Sequence, residues 1–137
     1  MTVVAVVDRI GGDRVVSEAA RIADDLDCDL HVVYVLGLSR FGALEISLAE
    51  WVGIPVATDV LRGVCARIAD RIADPIVDEY EAVGLVGRPS EEILAYARRV
   101  GARRIVVDGD RLGWGDAPFQ NTRRELEKGD VPVHPVS

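Results

Sequence analysis

Hydrophobic positions along the chain follow two alternating patterns. Val3–Val7 is an unbroken β-branched and apolar run, the pattern of a strand buried on both faces. Gly11 and Gly12 interrupt it, and from about Asp13 to Leu26 apolar residues recur at Val15, Val16, Ala19, Ala20, Ile22, Ala23 and Leu26. That stripe has helical spacing. Leu30–Leu36 predicts a second strand. Thr58–Ala73 predicts a helix with Leu61, Val64, Cys65, Ile68 and Ile72 on one face, and Pro75 lies just beyond its end. Ala82–Val86 predicts a third strand ended by Gly87. Pro89 suits the first turn of a helix, whose φ it already matches, and that helix runs to Val100 before Gly101 stops it. Arg104–Val107 predicts a fourth strand. A loop follows to Asp116 or Pro118, then a helix to Lys128 and a last strand over Val131–Val136. Residues 37–57 are irregular, punctuated by Gly37, Gly42, Gly53 and Pro55, with a short helix expected over Ala43–Trp51.

The strands alternate with helices and are apolar throughout. This implies an α/β fold with a five-stranded parallel sheet, helices on both faces and right-handed crossovers. Ligands of such sheets bind beyond the carboxyl ends of the strands, where the strand order reverses. The segments to inspect are therefore Asp8–Asp13, Gly87–Ser90 and Asp108–Pro118. Arg-Ile-Ala-Asp occurs three times, at Arg21–Asp24, Arg67–Asp70 and Arg71–Asp74. Each copy falls on an amphipathic helix, where Ile faces inward and Arg and Asp pair at i, i+3. No repeat architecture follows from it.

Composition narrows the function. The chain has 137 residues, 49% of them hydrophobic, which is enough for one domain with a real core. A net charge of −7 and a pI near 4.8 count against nucleic acid, which calls for a basic stripe. No apolar run approaches the roughly 20 residues of a membrane span. Met1–Asp8 lacks the basic start of a signal peptide, so a cytoplasmic location is expected. The acids are 14 Asp and 9 Glu, and the bases 15 Arg and a single Lys, Lys128; this bias points to a high-salt cytoplasm or a GC-rich genome and says nothing of function. Cys28 and Cys65 form no C-x-x-C pair, and His31 and His134 have no partner at ligand spacing. No disulfide framework and no metal site is expected.

Asp108-Gly109-Asp110 follows a strand, as the paired carboxylates of Mg²⁺-dependent aspartyl phosphatases do. Against that reading, the motif ends the fourth strand rather than the first, Arg111 stands where a small residue is usual, and too little chain remains for the later motifs. A receiver domain lacks its acid cluster, its third-strand Asp and its Lys. A P-loop is absent, as is any Ser-His-Asp or Cys-His grouping. Arg98, Arg99, Arg103 and Arg104 crowd a helix end, where they complement the dipole or face an acidic partner. Trp51 and Trp114 fall in irregular segments, as pocket caps, dimer contacts or local filling.

The stretch Val86-Gly87-Arg88-Pro89-Ser90-Glu91-Glu92-Ile93-Leu94-Ala95-Tyr96-Ala97-Arg98-Arg99-Val100-Gly101-Ala102-Arg103-Arg104-Ile105-Val106-Val107 resembles the third strand, helix and fourth strand of the universal stress proteins, V-x-G-x-P-[AS]-E-x-I-L-x-x-A-x-x-x-x-A-D-L-I-V. Val4-Ala5-Val6-Val7-Asp8 resembles their first strand, Leu30-His31-Val32-Val33-Tyr34-Val35 the second and Val131-Pro132-Val133 the start of the last. The resemblance covers nearly the whole chain as a single domain, residues 1–137, with 37–57 as its variable part.

The resemblance implies the adenine nucleotide alpha hydrolase-like fold, a three-layer sandwich with strand order 3-2-1-4-5. It also implies dimers joined through the last strand, Val131–Val136, and a site for ATP or AMP, with Mg, without strong catalysis. In this sequence that site comprises Val7, Asp8 and Arg9, Val35, Gly87 and Arg88, Val107, Asp108, Gly109, Arg111 and Gln120. Asp8 would meet the adenosine and Val35 line the base pocket. The phosphate motif of the family, G-x-x-G-x9-G-[S/T], is not present in any register. Strand alignment puts Asp108 on the first glycine, and counting back from Pro132 puts Phe119-Gln120 on the final pair. Asp108, Asp110 and Asp116 bring negative charge where a triphosphate would lie, with Arg9, Arg88 and Arg111 near enough to offset part of it. Pro135 stands in the strand expected to pair across the dimer. The expected function is a non-catalytic, dimeric stress-response or regulatory domain with a degenerate nucleotide site and a protein partner. The rival is a nucleotide binder that uses Asp8, Val35, Gly109 and an arginine in place of the glycine loop.

Overall fold

The computed structural model describes residues 1–8, 11–37, 58–109 and 122–136. Its elements run β1 (Thr2–Val7), α1 (Gly12–Leu26), β2 (Asp29–Gly37), α2 (Thr58–Ala73), β3 (Glu81–Gly87), α3 (Pro89–Val100), β4 (Ala102–Asp108), α4 (Thr122–Glu127) and β5 (Val133–Val136). The five strands form one parallel sheet in the order β3-β2-β1-β4-β5. The parallel sheet is the one the alternating elements predict, and the strand order is the one the family resemblance implies. β5 begins two residues later than the apolar run suggests, because Val131 packs into the core and Pro132 contributes only its carbonyl, to Ile105. The helix expected over Ala43–Trp51, the expected start of the last helix, and both tryptophans lie outside the described residues.

β1 is buried at every position. Val3, Ala5 and Val7 face a core with Val15, Val16 and Ala19 of α1 and Ala69 and Ala73 of α2. Val4 and Val6 face a second core with Ile93, Tyr96 and Ala97 of α3 and Leu126 of α4. The sheet thus lies between two helical layers. α3 starts on Pro89 in its first turn and is closed by Gly101, as its sequence predicts, with Glu91 and Glu92 at its positive end and Arg98 and Arg99 at its negative end. Opposite charge at each terminus is the arrangement a helix dipole favours.

Gly84, in the middle of β3, lets α2 sit directly on the sheet. A Cβ there would lie 1.9 Å from the Arg62 carbonyl oxygen and 2.7 Å from both the Ala66 nitrogen and the Cys65 Cβ. Backbone on backbone leaves no side chain free to move aside. Cys65 is buried in this contact and Cys28 is half-buried; neither lies in a disulfide.

Polar ties hold the rims of the layers. On the amino side of the sheet, Tyr96 and His31 Nδ1 lie 2.6 Å apart, and His31 Nε2 lies 3.2 Å from Glu81. Burial, reinforced by the Glu81 charge, holds the Tyr96 phenol above its usual value. The Arg99 guanidinium lies over the Tyr96 ring at 5.1 Å, and Arg98 pairs with Asp130 at 3.0 Å. Among the repeated tetrapeptides, Arg21 reaches Glu18 and Asp25 rather than Asp24, and Asp70 accepts a hydrogen bond from Tyr80 Oη.

Gly84→Ala is expected to destabilise the domain by about 1–3 kcal/mol, the range for overpacking, as read from urea unfolding; an unchanged midpoint would mean that α2 does not lie on the sheet as described. The hydrogen bond to Asp70, with lesser contributions from burial and from nearby acids, pushes the Tyr80 phenol up to about 12. Its folded value lies above its unfolded one, so this bond's stabilisation is whole below the ordinary phenol value and vanishes as pH rises through about 12. Absorbance titration should show Tyr80 and Tyr96 both titrating late, and Asp70→Asn should bring Tyr80 alone back toward the ordinary phenol value of about 10.

Candidate functional site

The chain starts in the middle of the sheet, builds outward through β2 and β3, and then returns to place β4 on the other side of β1. The order therefore reverses between β1 and β4, where parallel α/β sheets bind ligands. The β1–β4 register runs only to Ala5↔Val106, although β1 continues to Val7 and β4 to Asp108. The backbone ladder between the two strands thus ends before their carboxyl ends, at the switch point where such sheets place a crevice. Val7 and Val107 are fully buried at its base. Asp8 follows β1 and is half-buried.

Among the described residues, the Asp108 side chain spans this crevice. Asp108, at the end of β4, keeps only 3% of its surface exposed. Its carboxylate points across to the turn between β1 and α1, where Oδ2 would lie 2.7 Å from a Cβ on Gly11. Arg14, one turn into α1, brings Nη2 to 3.5 Å from the same oxygen, and its own side chain is half exposed. Burying a carboxylate is strongly unfavourable unless a counter-charge and hydrogen bonds compensate, and Arg14 supplies the charge. Gly11 adopts φ 78°, a left-handed conformation that a side chain would strain, and its bare α-carbon makes room for the Asp108 carboxylate. The turn and the acid are therefore built for each other.

Gly109, next in line, donates its N–H to the Val136 carbonyl at 2.8 Å. That amide extends the β4–β5 ladder rather than pointing to a ligand. On the other half of the edge, Val35 is buried on the α3 side of β2. Gly87 ends β3 beneath the Glu92 carboxylate. Arg88 precedes α3 and pairs with Glu91 at 3.6 Å within the first helical turn. Among the expected site residues, Val7, Asp8, Val35, Gly87, Arg88, Val107, Asp108 and Gly109 all lie at the carboxyl edge. Arg9, Arg111 and Gln120 lie outside the described residues, as does Asp110, the second acid of the phosphatase alternative.

Three participants at this edge were not among the expected site residues: Gly11, Arg14 and Glu92. The Gly-Gly-Asp-Arg run directly after the first strand carries part of the signal, but Arg14 sits one residue beyond the loop that strand order alone singles out.

A cavity of 540 Å³ opens at the opposite, amino edge, lined by Asp24, Asp29, Asp78, Glu79, Glu81 and Tyr80 among others. Its acids do not converge: among the described residues no group of three His, Cys, Asp or Glu side chains is placed to hold a metal ion. Among the same residues no helix is long and apolar enough to cross a membrane.

The model of the universal stress protein family matches residues 1–117. The chain belongs to the universal stress protein family. Solved structures show the same fold over its whole length. A universal stress protein from Archaeoglobus fulgidus is 24% identical, with a TM-score of 0.64 over 100% of this chain and 93% of its own. A universal stress protein in complex with cAMP is 17% identical, with a TM-score of 0.66 over 100% and 97%. Another from Archaeoglobus fulgidus, in complex with dAMP, is 22% identical, with a TM-score of 0.63 over 100% and 98%. No curated protein matches the chain. At these identities the structural likeness carries the fold and not the ligand.

Among the described residues of this universal stress domain, neither end-of-strand group of β4 is turned to a phosphate: the buried Asp108 carboxylate faces the start of α1 and the Gly109 amide is committed to β5. Gly11→Ala should cost about 1–2 kcal/mol from left-handed strain, and more if Asp108 is forced to move. Urea unfolding measures it, and a change of only a few tenths would show that the turn and Asp108 are not in contact.

Proposed function

We propose that this chain is a non-catalytic, cytoplasmic regulatory domain whose switch-point crevice holds its own anion, the Asp108 carboxylate, where a nucleotide phosphate would otherwise lie. The observation that carries this reading is the reach of Asp108 across the crevice to Gly11 and Arg14. A phosphate brought to within about 4 Å of that carboxylate would meet a repulsion of roughly 1–4 kcal/mol per charge pair. Arg14, among the described residues, already faces the acid. Regulation then runs through surfaces and a protein partner rather than through a bound nucleotide.

A second reading retains an adenine nucleotide, ATP or AMP, on Asp8, Val35, Gly109 and an arginine. What favours it is that two proteins of the same fold are described in complex with cAMP and with dAMP, ligands with a single phosphate. In this chain such a ligand would have to share Arg14 with Asp108.

Calorimetric titration with ATP and Mg²⁺, and separately with AMP, distinguishes the two. The wild-type chain is expected to give no isotherm below millimolar ligand. Asp108→Asn, which keeps the shape and removes the charge, and Asp108→Gly, which restores the family glycine, are expected to bind at least about tenfold more tightly, the equivalent of 1.4 kcal/mol. A micromolar wild-type isotherm that Asp108→Asn leaves unchanged would refute the proposal and favour the second reading.

A further inference from the structure

β5 is an edge strand, and no strand of the described residues lies beyond it. Its hydrogen bonds establish which of its groups face outward. Ile105 N–H donates to the Pro132 carbonyl at 2.9 Å and Gly109 N–H to the Val136 carbonyl at 2.8 Å. The register between these bonds runs from Ile105↔Val133 to Asp108↔Val136. In a parallel ladder, alternate residues turn both N–H and C=O to the same neighbour. His134 and Val136 therefore serve β4, while Val133 and Pro135 present their backbone groups to the outer edge. Proline has no N–H to give. The sheet itself loses nothing by Pro135, but within β5 the outer edge keeps a single donor, Val133 N–H.

We propose that Pro135 closes this edge to strand addition, so that two copies of the chain do not join their sheets through β5 and any self-association uses another surface. The argument is geometric. In an antiparallel pair formed about a two-fold axis, outward-facing residues exchange two hydrogen bonds per facing pair. With only two outward residues in the strand, pairing Val133 with Pro135 of a second copy leaves one bond of each two unmade. Pairing Val133 with Val133 instead sets the exposed proline ring against the incoming strand at the next outward position. Prolines placed in this way are one of the means by which natural sheets protect their edges. The inference is independent of whether a nucleotide binds, since it concerns the opposite side of β4 from the crevice.

Sedimentation velocity and amide hydrogen exchange across a range of protein concentrations, on the wild type and on Pro135→Val, test it. In the wild type the Val133 amide is expected to exchange at the same rate at low and high concentration, whether the protein is monomeric or associates elsewhere. Pro135→Val is expected to strengthen self-association at least tenfold and to protect the Val133 amide as dimers form. Pro135→Ala, which restores the N–H without β-branching, serves as a second variant, and circular dichroism checks that both fold. Concentration-dependent protection of Val133 in the wild type would overturn the proposal. So would both folded variants leaving association and Val133 exchange unchanged.

Discussion

The burial of β1 on both faces and both edges is the constraint on which the rest of the molecule depends. A six-residue strand with no exposed position must have helices above and below it and a strand on each side. β2 and β3 fill one side, and β4 and β5 are left to the other. The reversal this demands falls between β1 and β4, and the backbone ladder between them ends there at Ala5 and Val106. The crevice is therefore a consequence of the topology. Its chemistry is a separate matter, set by the few residues that line it.

In this chain those residues give the crevice an internal ion pair. Asp108 comes from the end of β4, Gly11 from the turn after β1 and Arg14 from the first turns of α1. The pair ties the end of β4 to the first turn of α1, the helix that follows β1. On the proposed reading, a carboxylate of the chain itself occupies the place where other α/β domains hold an anion from solution. On the proposed reading, the same residues that join β4 to α1 would repel a phosphate, so structural stability and low nucleotide affinity would have one physical origin.

Much of this fold is legible in the sequence. The apolar run Val3–Val7, the helical stripe of α1, Pro89 at the start of α3 and Gly101 at its end each predict the element that forms there, because each depends on local pattern and backbone geometry alone. Strand order is not local, and only the resemblance to a family supplies it. The site is legible in halves. Asp108 stands out because it takes the place of an expected glycine, but its partner Arg14 becomes visible only when α1 is set against β4, 94 residues away in sequence. The orientation of Pro135 is similar. The sequence shows a proline in a strand, and only the register shows that its missing donor belongs to the outer edge. The pairing of Arg21 with Glu18 and Asp25 instead of Asp24 is a smaller instance, where side-chain reach rather than spacing chose the partner.

The central claim is that the Asp108 carboxylate stands in for a phosphate. The most direct measurement is chromatography of the small molecules released when the protein, purified under native conditions and without added nucleotide, is denatured. The account predicts no adenine nucleotide at any meaningful fraction of the protein. A nucleotide released in amounts approaching one per chain would contradict it, and would mean that the crevice holds phosphate despite the acid at its centre.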